Sequence, residues 1–149
     1  MKYIKVLIVI STLWPICAKS QTLSPLPPGF NYEVKSLYLD SSSNYLYAAG
    51  GFTHFYGTGT NINKIAVWNN ISWDSVGSGV DDNGTIYSLN KYDGKIIAGG
   101  SFNLIGGIGS KGLVQWDGTN WIPFTNAVDL QNNGAVGCLY VENSNLYVG

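Results

Sequence analysis

The segment Leu46-Tyr47-Ala48-Ala49-Gly50-Gly51-Phe52 returns fifty residues later as Ile96-Ile97-Ala98-Gly99-Gly100-Ser101-Phe102. It starts a third time as Leu146-Tyr147-Val148-Gly149, at the end of the 149-residue sequence. A period of this length makes the chain an array of similar units, each unable to bury its apolar faces alone. The likeness spreads to both sides of the glycines. Upstream, Val34-Lys35-Ser36-Leu37-Tyr38 aligns with Ile86-Tyr87-Ser88-Leu89-Asn90 and with Val136-Gly137-Cys138-Leu139-Tyr140. Downstream, Ile65-Ala66-Val67-Trp68 and Trp73 align with Leu113-Val114-Gln115-Trp116 and Trp121. The tryptophans recur at a spacing of 48, so the Gly-rich loop between differs by two residues. A surface connection tolerates such variation.

Each unit reads as four short strands. The first spans Val34 to Leu39, with Val34, Ser36 and Tyr38 on one face and Lys35, Leu37 and Leu39 on the other. The second, Tyr45 to Ala49, is apolar throughout, as in a strand covered on both faces. The third ends at Trp68 and the fourth begins near Trp73. Between them lie Asn69-Asn70 in one copy and Asp117-Gly118 in the other. These pairs tolerate positive φ, which predicts a tight hairpin and antiparallel third and fourth strands. Beyond the N-terminal stretch, no segment carries capped helical periodicity. The expected class is therefore all-β.

Four strands in about 50 residues is the size of one propeller blade. Radial stacking would cover each sheet with its neighbour and leave short edges. The paired glycines Gly50, Gly51 and Gly99, Gly100 suit a crowded axis, where a missing Cβ allows close backbone approach. Phe52, Phe102, Trp68, Trp73, Trp116 and Trp121 are expected to fill the space between blades as core.

The order apolar strand, Gly-Gly, loop, apolar strand, tight turn, Trp resembles the kelch repeat of galactose-oxidase-like propellers over residues 33–149. The Trp68–Trp73 and Trp116–Trp121 spacing is shorter than the kelch Tyr-to-Trp interval, and Trp stands in the Tyr position. In this the chain looks more like the Gly-Gly-x-Phe and Trp-Asp-Gly-x-x-Trp repeats of secreted Bacteroidetes proteins and of some fungal cell-surface polarity proteins. The resemblance implies an incomplete kelch-like β-propeller of about two and a third four-stranded blades. It does not carry over the copper site of galactose-oxidase-like enzymes, because no residue matches it. Trp116-Asp117 is not read as a WD40 signature, since the chain has no Gly-His dipeptide.

Residues 1–20 read as a signal peptide: Lys2 and Lys5, an apolar run from Val6 to Ala18 broken by Pro15, then Ala18-Lys19-Ser20 as a small-x-small cleavage site. Acylation of Cys17 is the lesser alternative, as Ile16 before it is not small. Residues 21–32, with Pro25, Pro27, Pro28 and Gly29, read as an extended Pro-rich leader. After cleavage, five lysines face nine acids, a net charge of −4, and the chain has no arginine. That disfavours nucleic acid as a partner and supplies no polybasic membrane patch. Cys138 would be the one remaining cysteine, so an intramolecular disulfide is excluded. It sits where Ser36 and Ser88 sit and is expected to be a small buried core residue.

No catalytic, cofactor-binding or metal site emerges. His54 is the only histidine, and its counterpart is Leu104, so it is expected to be an exposed loop residue. One His and one mature Cys cannot supply a zinc site. Asp81-Asp82-Asn83-Gly84 lacks calcium-loop spacing and reads as a turn. Asp40, Asp74, Asp93 and Asp129 are the carboxylates a glycosidase pair would draw on, and nothing in the sequence unites two of them. The sequons Asn70-Ile71-Ser72 and Asn83-Gly84-Thr85 are explained by turns. Gly106-Gly107-Ile108-Gly109 has neither the Lys-Ser nor the helix of a phosphate loop. The expected protein is an exported, non-enzymatic binding or scaffolding module without cofactors. Its segments Thr53 to Asn63 and Asn103 to Lys111 would recognise an extracellular protein or polysaccharide. The alternatives are the propeller part of a secreted carbohydrate-active or oxidase-like enzyme, and a structural adhesion repeat. The array is expected to break off within its third unit. Residues 21–149 alone would then aggregate or melt without cooperativity.

Overall fold

The structure, a computed structural model, describes residues 29–81, 83–124 and 134–149. Among these it is all-β. The first unit is a meander of β1 (Val34–Asp40), β2 (Tyr45–Gly50), β3 (Ile65–Trp68) and β4 (Trp73–Ser75). The second is a matching sheet of β5 (Thr85–Tyr92), β6 (Lys95–Ser101), β9 (Leu113–Trp116) and β10 (Trp121–Pro123). A small hairpin, β7 (Leu104–Ile105) and β8 (Ile108–Gly109), rises from the loop between β6 and β9. The third unit shows one hairpin, β11 (Leu139–Glu142) and β12 (Asn145–Val148). All pairings are antiparallel, and neither four-stranded sheet closes on itself. Residues 1–20, expected as a signal peptide, residues 21–28 of the expected leader, Asp82 and Asp129 lie outside the described residues.

The register repeats with the sequence. Tyr38 pairs with Tyr47, Asn90 with Ile97 and Tyr140 with Tyr147. Each first strand is also interrupted at the same place. Ladder steps are missing at Lys35 and at Tyr87. In the third unit the N–H groups of Gly137 and Cys138 both donate to the Gly149 carbonyl. These are β-bulges, two residues opposite one, and they reset the alternation of side chains along the strand. The simple two-face reading of Val34 to Leu39 fails here: Val34 and Ser36 are separated by the bulge and do not share a regular face.

The bulge gives the repeated glycine its physical reason. A Cβ on Gly50 would overlap the Glu33 carbonyl, and one on Gly100 would overlap that of Thr85. The crowding is therefore within the unit's own sheet. Gly99 does face the next unit, where a Cβ would run into Val136. Gly51 meets only side chains of Tyr32 and Glu33 at ordinary distance, and its counterpart is Ser101. One glycine column, not a pair, is demanded by the fold.

The hairpin between β3 and β4 is a four-residue loop. Asn69 Oδ1 accepts the N–H groups of Ile71 and Ser72, both at 2.9 Å, while Asn70 takes the positive φ of 74°. The second copy repeats it: Asp117 Oδ1 accepts from Thr119 (2.8 Å) and Asn120 (2.7 Å), and Gly118 has φ 102°. The first residue of each pair thus serves as a side-chain acceptor and only the second uses its backbone tolerance.

The sheets stack face to face. Alternation along β6 sends Ile96 and Ala98 to one side and Ile97 and Gly99 to the other. Ile96 and Ala98 pack with Tyr47, Ala49 and Ile65 of the first unit; Ile97 packs with Val136 and Leu139 of the third. Trp121 lies in the first of these junctions and donates Nε1–H to the Val76 carbonyl at 3.1 Å. The junctions share a hydrogen bond. Ser36 Oγ accepts the Leu89 N–H, and Ser88 Oγ accepts the Leu139 N–H, each at 3.0 Å.

Candidate functional site

Two places stand out, one at each end of the stacked strands. The first strands of the units run in the same direction, since Ser36 reaches Leu89 while Asp40, further along, reaches Lys91. Equivalent loops therefore share an end.

At one end lie the segments 53–63 and 103–111. Their bases are packed. Phe55 and Ile62 are buried with Phe52 and Ala66, against Phe30 and Trp73. Phe30 stacks on Phe52 with ring centroids 4.0 Å apart. Ile105 is buried in the junction between the first two units. The residue runs just before each unit knit these bases down by equivalent bonds. The N–H groups of Asn31 and Tyr56 donate to His54 and Gly29 carbonyls, and those of Asp81 and Gly106 donate to Leu104 and Gly79 carbonyls. The repeat is thus visible from Gly29 onward, before the first strand. Side chains reinforce it. Asn31 Oδ1 accepts the Thr53 and His54 N–H groups, and Asp81 Oδ2 accepts that of Gly107 at 2.7 Å. In contrast, the tip residues from Tyr56 to Asn61 are exposed, Tyr56 at 72%. The second tip is the two-glycine turn Gly106-Gly107, both at positive φ, which fits a type I′ hairpin. That settles its likeness to a phosphate loop: the glycines shape a turn.

At the other end a cleft of about 340 Å³ opens between the first two sheets, lined by Asp40, Ser43, Tyr45, Tyr47, Ser75, Trp116 and Asp117 among others. A hollow of about 310 Å³ at the corresponding place between the second and third units is lined by Lys91, Tyr92, Asp93, Val141 and Ser144. Asp40 is 7% exposed and holds the Lys91 ammonium with both oxygens, at 2.8 and 2.9 Å. The Ser42 and Ser43 hydroxyls donate to it as well. Burial alone would raise its pKa, but Lys91 and these hydroxyls outweigh burial and hold the carboxyl well below the usual carboxylate range. Asp117 is also lowered, by the backbone N–H groups of Asn120 and Thr119. Burial and the Asp40 charge push the Tyr47 hydroxyl up.

The sequence-derived residues scatter accordingly. Gly50, Gly51, Phe52, Gly99, Gly100 and Phe102 belong to the sheets and their loop-side edge. Phe52, Phe102 and Trp121 are buried, whereas Trp68, Trp73 and Trp116 are partly exposed. Trp116 and Trp121 form one aromatic pair, 5.1 Å apart, and Trp68 and Trp73 another. His54 is half-buried rather than exposed, its Nδ1 3.1 Å from the Thr53 hydroxyl. Asp74 accepts from Asn69, and Asp93 sits in a two-residue turn. Of the weighed carboxylates that are described, only Asp40 lines the cleft; Asp117, its neighbour there, was missed because it reads as a turn residue. No group of three or more His, Cys, Asp or Glu gathers among the described residues. Cys138 is exposed, contrary to the buried reading, and among the described residues none stacks on that side of the third unit. Lys91 left no sequence signal, since its partner Asp40 lies in another unit, whereas Ser42 and Ser43 bond Asp40 within their own unit.

No protein-family model, curated protein or solved structure matches the chain.

Proposed function

We propose that the chain is part of a kelch-like β-propeller, exported from the cytoplasm, that acts as a non-enzymatic binding or scaffolding module. Its stacked four-stranded meanders support the blade reading. The observation that carries the binding reading is the contrast within the segments 53–63 and 103–111: buried, hydrogen-bonded bases under exposed tips. A tip fixed by its own packing loses little conformational entropy on contact, which favours recognition. The partner is an extracellular protein or a polysaccharide.

The cleft favours binding over hydrolysis. Glycoside cleavage asks for one carboxyl with a raised pKa to serve as acid. Asp40 and Asp117 are both shifted the other way. The test uses a panel of purified polysaccharides in affinity electrophoresis and extracellular protein extracts in pull-down. Tyr56→Ala is expected to lose the retained partner, at least tenfold in affinity, with an unchanged melting curve. Binding that survives Tyr56→Ala and replacement of residues 106–107 would overturn the loop reading.

A further inference from the structure

The cleft between the first two sheets holds a polar group that the fold does not use. Tyr47 lines it and is only 8% exposed, yet its hydroxyl makes no hydrogen bond to protein among the described residues. Every sealed side-chain nitrogen or oxygen among those residues has a partner, so this oxygen is not sealed and opens onto the cleft. A buried tyrosine ordinarily satisfies its hydroxyl. Stacking does not ask for one here. The same register position in the second unit is Ile97, which packs on Val136 and Leu139. The rest of the first unit's polar lining departs from the repeat as well: Asp40, Tyr45 and Ser75 stand where the second unit has Tyr92, Lys95 and Pro123. Both walls belong to complete four-stranded sheets of this chain.

We propose that this cleft binds an uncharged pyranose ring. Its volume of about 340 Å³ suits a single sugar ring and falls within the range of small-molecule sites. Tyr45 and Tyr47 line it from the first sheet, and the half-buried Trp116 lines it from the second. Aromatic surfaces of this kind take the C–H face of a pyranose, while the hydroxyls at the ring edge need strong acceptors. Asp117 supplies one: its Oδ1 is taken by the Thr119 and Asn120 N–H groups, and Oδ2 is left free of protein donors among the described residues. A hydroxyl on a carboxylate forms one of the stronger hydrogen bonds. The Tyr47 hydroxyl supplies a further partner. Charge decides between a sugar and an organic cation, which aromatic and carboxylate groups also attract. Asp40 is matched by the Lys91 ammonium at 2.8 and 2.9 Å. Asp117, held ionised chiefly by the N–H groups of Asn120 and Thr119, also feels Lys95. The balance leaves no net charge to attract a cation or an anion. The assignment is separate from recognition by the loops at the opposite end.

Saturation-transfer NMR on the full chain tests it. The probes are the methyl glycosides of glucose, galactose and mannose, their disaccharides, and tetramethylammonium as the cationic control. At least one glycoside is expected to bind in the millimolar range, more tightly than the cation. Tighter binding of its disaccharide assigns the ring to a glycan chain, and equal binding to a single sugar; the site stands in both cases. Two variants keep the fold. Tyr47→Phe removes a hydroxyl with no protein partner, so the urea midpoint should not fall. Asp117→Asn retains the turn acceptor, as Asn69 does in the first copy, and weakens the free oxygen. Each should reduce affinity at least fivefold. Neither touches the loops, so loss of binding here and loss in Tyr56→Ala report on opposite ends of the molecule. The proposal is overturned if no glycoside binds, if the cation binds more tightly than all of them, if either variant binds as the parent does, or if Tyr47→Phe lowers the midpoint.

Discussion

Asp40 and Lys91 join the first two units through a charge that burial alone would make unfavourable, and four donors, Lys91, the Ser42 and Ser43 hydroxyls and the Ser42 N–H, reverse the balance. The folded pKa of Asp40 lies below the unfolded value of about 3.9. Its contribution is therefore complete above that pH and is lost as pH falls from about 4 through the folded value. Asp40→Asn should lower unfolding stability by about 1.5–3 kcal/mol at pH 7, the range for hydrogen bonds to a charged group. Urea titrations at pH 7 and pH 3 should show the gap between variant and parent narrowing at the lower pH. A second residue-level test separates the glycines. Gly100→Ala forces a Cβ onto the Thr85 carbonyl and should cost upwards of about 2 kcal/mol, whereas Gly51→Ala should change stability by less than about 1 kcal/mol. The repeated motif carries Gly-Gly in both copies, but the pairs are offset by one position, Gly50-Gly51 against Gly99-Gly100. Only alignment with the bulged strand distinguishes the glycine that the fold demands from its neighbours.

The four strands of each unit, the hairpin between the third and fourth and the all-β class were legible because each rests on short-range patterns: the apolar second strand, Asn69-Asn70 and Asp117-Gly118, the tryptophans that end one strand and open the next. What stayed hidden depends on contacts between units. Ser36 and Ser88 look like small polar residues in a strand, and their partners are 53 and 51 residues away. The bulge before them was equally silent, since nothing in Lys35 or Tyr87 announces an extra residue. Alignment with Cys138 suggested a demand for small size, whereas the bonds point to an acceptor. Ser88→Ala should therefore leave the Leu139 N–H without its partner and cost about 1–3 kcal/mol. Ser88→Cys keeps a weak sulfur acceptor and should cost less. If the alanine and cysteine variants unfold at the same urea concentration, size rather than hydrogen bonding governs this position.

Among the described residues the middle sheet is covered on both faces, by the first unit through Ile96, Ala98 and Val114 and by the third through Ile97 and Leu113. Among the described residues the third hairpin is covered on one side, and the first sheet has Phe30 and its cluster on the loop side of its outer face. In stacked arrays stability is a sum of unit terms and nearest-neighbour junctions, so protection should grade along the chain rather than rise and fall as one. Amide exchange is expected to be slowest in β6 and β9 and fastest in β11 and β12, because opening the third hairpin breaks one junction and opening the middle sheet breaks two. Trp121→Phe sharpens the prediction. It removes the Nε1–H bond to Val76 in the first junction while leaving the second untouched. Exchange should then accelerate in β2 and β3 by about tenfold, the equivalent of about 1.4 kcal/mol, with β11 and β12 unchanged. Uniform acceleration across all three units would mean that the array unfolds as a single cooperative block, with the junctions too strong to open one at a time.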